Sequence, residues 1–169
     1  MKRLLLLIIF IGSVFHVYAK GDGISQVQYA AITTDSLSLR LEKLQHDYDY
    51  MYCDYEVYKL QMDLKDLAKS IDIASNAILI NVYNGRYDND LYNVYSENYT
   101  VSCDLFESIK GKIESVKTLV SLKILTSGFT EGEINILTTS FNVINNSANK
   151  VQSSLRYYDV VLKAYKDKR

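Results

Sequence analysis

One histidine is available for chemistry if the amino-terminal segment described below is removed. His46 lies near Asp49 and Asp54, and these residue types can form a catalytic set with a serine or cysteine nucleophile. On a helix, both carboxylates lie off the face that carries His46, whereas Tyr50 and Cys53 share that face at spacings of four and seven residues. We therefore interpret His46 as a solvated helical histidine, and we expect no catalytic residues and no enzyme.

Two segments offer oxygen and nitrogen ligands for a metal ion. Residues 46–49 contain one histidine and two aspartates, but a zinc site needs three or four ligands. Residues 88–90, Asp-Asn-Asp, resemble the start of a calcium loop, yet the later glycine and the closing glutamate are missing. The chain also lacks a glycine-rich phosphate loop. We expect no metal site and no cofactor.

Two cysteines, Cys53 and Cys103, would pass through an oxidising route in an exported protein, where a disulfide is the usual outcome. A helical hairpin that turns near residue 86 or 87 pairs residues whose numbers add to about 173. Cys53 would then lie opposite residue 120, about 25 Å from Cys103 at helical rise. A disulfide requires α-carbons within roughly 7 Å, so we predict two free thiols.

Tyrosine is unusually frequent, with 15 in the whole chain. A first group consists of Tyr48, Tyr50, Tyr52, Tyr55 and Tyr58. A second group, Tyr83, Tyr87, Tyr92, Tyr95 and Tyr99, surrounds a predicted turn. Tyrosine combines a large contact area with a polar tip and suits recognition surfaces. We interpret Tyr48, Tyr55 and Tyr58 as core, whereas the second group fits both packing and contact with a partner.

The overall composition indicates a folded protein without a nucleic-acid partner. Of the residues, 48% are hydrophobic and 23% are charged, and proline is absent. The 19 basic residues face 20 acidic ones, and loss of Lys2 and Arg3 would leave a charge near −3. Binding to DNA or RNA requires a clustered excess of basic residues, which this chain lacks.

The first 19 residues have the pattern of a secretory signal peptide. Lys2 and Arg3 precede an apolar run from Leu4 to Ile11, and residues 17–19, Val-Tyr-Ala, form a cleavage site. An uncleaved membrane anchor is the alternative, but the apolar run, which continues weakly through Val14 and Phe15, covers about twelve residues and is short of the ~20 that span a bilayer. We predict cleavage after Ala19, no transmembrane span afterwards, and export to the periplasm or the exterior of a bacterium.

The most regular pattern in the chain is a heptad seam near its end. Its apolar residues are spaced alternately by three and four: Ile134, Leu137, Phe141, Ile144, Ala148, Val151, Leu155, Tyr158, Leu162 and Tyr165. Thr130 and Glu133 have the spacing of a capping box that would open this helix. The pattern predicts a helix over about residues 131–167.

A second long helix is predicted over about residues 35–83, after a lead-in over 20–34 that we expect to be extended, with Asp35 as its N-cap. One apolar series contains Leu37, Leu41, Leu44, Tyr48, Met51, Tyr55, Tyr58 and Met62. Another contains Val57, Leu60, Leu64, Leu67, Ile71, Ala74 and Ile78. The two series differ by two residues, or about 200° around a helix. This phase change predicts a bend near Tyr58 or a change of packing partner there.

A turn over residues 84–90, with Gly85 as C-cap, separates this helix from a third over about residues 90–127, in which Ser102 or Asp104 could cap a fresh start. No alternation typical of strands competes with these patterns. The predicted fold over residues 35–169 is all-α: an elongated three-helix bundle with long antiparallel helices and heptad-type, coiled-coil packing.

In architecture, the chain resembles the small periplasmic, mostly helical, minor-pilin-like subunits of bacterial conjugative type IV secretion systems. The resemblance depends on the signal peptide Met1–Ala19, the long helix from Asp35 and the heptad helix from Ile134, and it includes no diagnostic motif. It implies contacts with other subunits of a secretion machine or with a recipient surface.

The expected function is that of a non-enzymatic structural or adaptor subunit of the envelope, engaged in protein–protein interaction and in conjugation. Its expected partners are envelope or secretion-machine proteins and further copies of itself. A periplasmic chaperone or a small-ligand-binding helical protein, using a groove between helices, is the alternative.

Overall fold

The computed structural model describes residues 23–168, with side chains from residue 33 onward. Three helices account for nearly all of them: α1 (Gly23–Tyr83), α2 (Asn89–Ser127) and α3 (Glu131–Lys168). The described residues divide into two compact units, residues 23–45 and residues 46–168. The described part of the first unit is helical, and it exposes Leu39, Leu41 and Leu44. The second unit contains the packed core.

Helix α1 begins earlier than its predicted N-cap. Asp35 lies inside the helix, and the segment expected to be an extended lead-in is helical from Gly23 onward. Between Gly23 and Asp35 the sequence contains no proline and no further glycine, so nothing in it interrupts helical hydrogen bonding. The predicted signal peptide, residues 1–19, lies outside the described residues.

The first turn has the predicted glycine cap and an aspartate N-cap. Gly85 adopts φ 65°, the left-handed conformation that favours glycine after a helix. Asp88 is the N-cap of α2, and its carboxylate accepts hydrogen bonds from the amides of Asp90 and Leu91 at 2.6 and 3.3 Å. Helix α2 then continues unbroken to Ser127, so the prediction of a fresh start within it is wrong.

The predicted restart failed because a serine can satisfy its own hydroxyl inside a helix. Ser102 is buried, and its hydroxyl donates to the carbonyl of Asn98 one turn earlier at 2.7 Å. Asp104 is exposed on the same continuous helix.

The second turn confirms the predicted capping box. Gly128 adopts φ 63° and ends α2. The Thr130 amide donates to the Glu133 carboxylate at 2.8 Å, and the Glu133 amide donates in return to the Thr130 hydroxyl at 3.3 Å. This reciprocal pair satisfies amides that the first turn of α3 leaves without helical partners.

The helices of the second unit run up, down and up. Polar contacts that join α1 to α2 include Asp49–Lys123, Asp63–Lys112 and Asn81–Tyr95. In each pair the two residue numbers add to between 172 and 176, which confirms the predicted hairpin register. Helix α3 runs parallel to α1. Gln61 of α1 meets Ser140 of α3, and Asp72, about three turns further along α1, meets Ser154, about four turns further along α3. The all-α three-helix bundle is therefore confirmed.

The core is built from the heptad seam of α3, one face of α1 and a buried stripe of α2 that runs from Phe106 to Val120. Every member of the α3 seam is buried or half-buried, and Leu137, Ile144 and Val151 have no exposed surface. The second α1 series is buried in the same way. At about 1.5–3 kcal/mol for each fully buried large apolar side chain, these three stripes are the main source of the bundle's stability.

The first α1 series is not part of the core, so the prediction that its tyrosines pack inside is wrong. Tyr48, Tyr55 and Tyr58 are 65%, 58% and 57% exposed. Helices α2 and α3 both pack on the face that carries Val57 and Leu60, and two residues of phase turn the first series to the opposite side. Helix α1 is continuous through Tyr58, and the phase change separates an exposed stripe from a buried one.

Both cysteines are free thiols, as the hairpin register predicts. Cys53 has no exposed surface, and Cys103 is half-buried. Burial raises the pKa of the Cys53 thiol, and the nearby Asp49 carboxylate raises it further. A thiol with a raised pKa is a poor nucleophile, so Cys53 contributes packing.

Candidate functional site

The tyrosines around the first turn form an aromatic cluster between α2 and α3. Tyr95 is buried, and its ring lies edge-on to Tyr165 with 5.7 Å between centroids. Tyr99 is half-buried and meets the ring of Tyr158 at 5.4 Å. Tyr87 is also half-buried, contacts Tyr165 at 5.6 Å and donates to the carbonyl of Val82 at 2.9 Å. These contacts use tyrosine for packing.

Two members of the predicted group differ in exposure. Tyr92 is half-buried, whereas Tyr83 is 91% exposed and is the one that projects fully into solvent. The proposed partner contact of Tyr83, Tyr87, Tyr92, Tyr95 and Tyr99 stays a prediction, and Tyr83 is its most accessible member.

Two hydroxyl groups in this cluster, those of Tyr99 and Tyr158, are held as neutral phenols. Tyr158 has no exposed surface, its hydroxyl donates to the carbonyl of Tyr95 at 3.0 Å, and burial raises its pKa to about 12. Burial, followed by a hydrogen bond with Cys103, raises the pKa of Tyr99 to about 12. Neither group exchanges protons near neutral pH, which is a property of structural tyrosines and not of acid–base catalysts.

A polar cluster lies where the three helices meet near the second turn. Asp49 is only 3% exposed, and its carboxylate accepts from the Lys123 ammonium at 2.9 Å and the Ser127 hydroxyl at 2.6 Å. Asp49 was expected to lie off the face of α1 that carries His46, so this cluster was not predicted. Its spacing of four from Cys53 and eight from Val57, both buried, is the pattern that could have revealed its burial.

His46 is less solvated than the sequence indicated. Its Nε2 lies 3.2 Å from the Glu133 carboxylate and its Nδ1 lies 3.3 Å from Asp47. Its ring lies edge-on to Phe129, which is buried against the ring of Tyr50 as well. These contacts attach α1 to the start of α3.

The Glu133 carboxylate is stabilised in its charged form. The Thr130 amide and hydroxyl, and then His46, lower the pKa of Glu133. The carboxylate serves the helix cap, so the arrangement around His46 accounts for helix capping and packing.

The second segment that offered metal ligands, residues 88–90, is also used in helix capping. Asp88 accepts the first amides of α2. Among residues 23–168, no three histidine, cysteine or acidic side chains are arranged to hold a metal ion.

An open groove with a volume of about 680 Å³ lies between α1 and α2. Helix α1 supplies one wall and α2 the other. Three large apolar side chains on these walls, Ile73, Val101 and Leu105, are 61%, 49% and 51% exposed. Single exposed apolar residues are common, but several around one groove indicate a binding surface.

The groove exists because small side chains stand where larger ones would fill the space. Ser70, Ala74 and Ala77 from α1 and Ser102 from α2 line it. A smaller depression of about 270 Å³ continues the groove along both helices. Both concavities are lined by Asp63 and Lys112, whose ion pair at 3.7 Å marks the boundary between them. Sequence periodicity records which face of a helix is apolar but not the free volume between helices, so the position and lining of this groove could not be predicted from it.

Comparison with models of protein families, with curated proteins and with solved structures finds no match for this chain. Over residues 23–168, none of the helices has a stretch long and apolar enough to cross a membrane.

Proposed function

We propose that this protein is a non-enzymatic structural or adaptor subunit of a bacterial envelope, and that it binds another protein along the groove between α1 and α2. The observation that carries this proposal is the exposure of Ile73, Val101 and Leu105 around one groove. Burial of such side chains by a partner is worth about 25 cal/mol for each Å² of apolar surface. An amphipathic helix fits a groove of this kind, because its apolar stripe repeats at the same spacing as the two walls.

Three polar side chains of the groove are already engaged within the protein, which favours a protein partner over a small molecule. The Ser102 hydroxyl already donates to Asn98, and Asp63 is paired with Lys112. A small-ligand site needs a few polar groups that converge on the ligand and fix its orientation, and these polar groups are engaged within the protein. The apolar walls therefore supply most of the binding energy.

The setting we propose is a conjugative secretion machine of an exporting bacterium. Its basis is the predicted signal peptide Met1–Ala19 together with the resemblance in architecture to minor-pilin-like subunits. The signal peptide and the resemblance are both part of this proposal, and retrieval of partners from native envelopes tests the setting.

The test is retrieval of partners from native envelopes with the chain and two lysine variants of α2. Leu105→Lys places a charge on the groove wall, whereas Leu122→Lys changes a leucine of the same helix that is 56% exposed and lies outside the groove lining. We expect a partner identified by mass spectrometry to be lost with Leu105→Lys and kept with Leu122→Lys. Equal retention by both variants would refute binding in the groove.

A small-ligand-binding role is the second candidate, because about 680 Å³ lies within the range of ligand pockets. Native mass spectrometry of the purified chain distinguishes the two. A bound molecule of low mass that disappears with Leu105→Lys would favour the ligand-binding role over the adaptor.

A further inference from the structure

The solvent-facing side of α1 carries a second apolar surface, separate from the groove. We call Tyr48, Met51, Tyr55 and Tyr58 the outer stripe; they are 65%, 69%, 58% and 57% exposed. Their spacing of three, four and three residues is that of the a and d positions of a coiled coil. We propose that the outer stripe is a self-association surface, which pairs with the same stripe of a second copy in parallel orientation.

A second copy can reach the outer stripe without disturbing the bundle. The face of α1 that packs on α2 and α3 carries Cys53, Val57 and Leu60. The outer stripe lies two residues out of phase with that face, or about 200° around the helix. Two chains joined through the stripe would therefore hold their own helices α2 and α3 on the outside.

Charges beside the stripe select the parallel orientation. Asp47 and Asp54 flank it at g positions, and Lys59 flanks it at an e position. In a parallel pair, a g residue lies near the e residue five positions later in the other chain, so Asp54 of each copy meets Lys59 of the other. An antiparallel pair instead brings g positions together, which places aspartates opposite aspartates.

One ring of the outer stripe, that of Tyr48, is held in place by the neighbouring Tyr52 before association. Tyr48 and Tyr52 stack with an angle of 2° between ring planes and 6.4 Å between centroids. A side chain that is already held in place loses less entropy on binding. The hydroxyl of tyrosine also allows the ring to be covered while its tip stays in water.

The area of the stripe predicts a weak dimer. A tyrosine buries roughly 150–250 Å² in full, so the exposed parts of these four side chains amount to roughly 500 Å² in each copy. A pair would bury about 1,000 Å², which is at the lower limit for a specific interface. We expect a dissociation constant on the order of 1–100 μM.

Sedimentation equilibrium of the purified exported chain, from about 1 μM to about 200 μM, tests the association. We expect a monomer–dimer equilibrium that Tyr55→Lys weakens at least about tenfold, because it places a lysine in the middle of the seam. The matched control is Tyr157→Lys, which changes a tyrosine of α3 that is 48% exposed. A monomer at every concentration, or equal loss of dimer in the control, would overturn the proposal.

Charge exchange tests the orientation. Asp54→Lys and Lys59→Asp should each dimerise a few-fold to about tenfold more weakly than the parent, and their equimolar mixture should recover the lost affinity. Disulfide formation provides a second readout: with Cys103→Ser as background, Met51→Cys should crosslink to its own counterpart, because a parallel seam places equal residues side by side. Crosslinking that fails while the dimer persists, together with no recovery in the mixture, would exclude the parallel pair.

Discussion

Removal of the ammonium that faces the buried Asp49 should destabilise the bundle more than any change of a surface charge. The Asp49 side chain is 4% exposed, and Lys123 lies 2.9 Å from its carboxylate. A buried ion pair that loses one partner costs about 3–5 kcal/mol, because the other charge stays buried. The Lys123 side chain is 27% exposed, so water can partly replace the ammonium, and Lys123→Met should cost about 2–4 kcal/mol.

Urea and thermal unfolding, followed by circular dichroism, measure this cost. For a packed unit of this size, 1 kcal/mol corresponds to roughly 3–5 °C of melting temperature. The control is Lys110→Met, because Lys110 forms an exposed pair with Glu107 on one face of α2, and exposed pairs contribute less than about 1 kcal/mol. A second variant, Asp49→Leu with Lys123→Met, removes both charges and should be more stable than Lys123→Met alone.

Two results would refute this reasoning. If Lys123→Met and Lys110→Met unfold alike, Asp49 does not depend on Lys123, and the register between α1 and α2 near the second turn is wrong. If the double variant is less stable than the single one, the cost arises from lost packing by the lysine stem and not from an isolated charge.

Three further predictions concern the core, the first turn and acid. Leu155→Asp buries a charge within the α3 seam, so it should cost about 4 kcal/mol or more; a melting temperature equal to that of the parent would mean that the seam is not buried. Tyr87→Ala should lower the free energy of unfolding by about 1–3 kcal/mol, because the half-buried ring and its hydrogen bond are lost, whereas Tyr83→Ala at 91% exposure should stay within about 0.5 kcal/mol; equal melts would contradict the packing of Tyr87. The pKa of Glu133 is lowered from 4.5, so its carboxylate stabilises the fold above that pH and the effect is lost as the pH falls through the lowered value. The stability difference between the parent and Glu133→Gln should therefore shrink in acid, and a difference independent of pH would disprove the role of the charge.

Local and periodic features of the fold could be predicted from the sequence. The α3 seam, the Thr130–Glu133 capping box and the glycine C-cap at Gly85 depend on residues close together in the chain. Their geometry follows from the helical period and from hydrogen bonds within one turn. The register of the first hairpin followed from the position of its turn.

Features that depend on how the three helices pack against one another could not be predicted in this way. The outer stripe and the buried face of α1 have equally regular spacing, and only the placement of α2 and α3 determines which one is covered. Asp49 is polar, and its burial depends on Lys123 and Ser127, 74 and 78 residues away in the chain. The groove likewise depends on small side chains from two helices that face each other.

Photo-crosslinking in the native cell tests the adaptor proposal most directly. A photoreactive residue at Val101, which lines the groove and is 49% exposed, should capture one protein of different sequence, and Leu105→Lys should abolish the adduct. The same residue at Val160 of α3, which is 62% exposed, should give no such adduct. Capture of that protein at both positions with equal yield, or at neither, would contradict partner binding in the groove between α1 and α2.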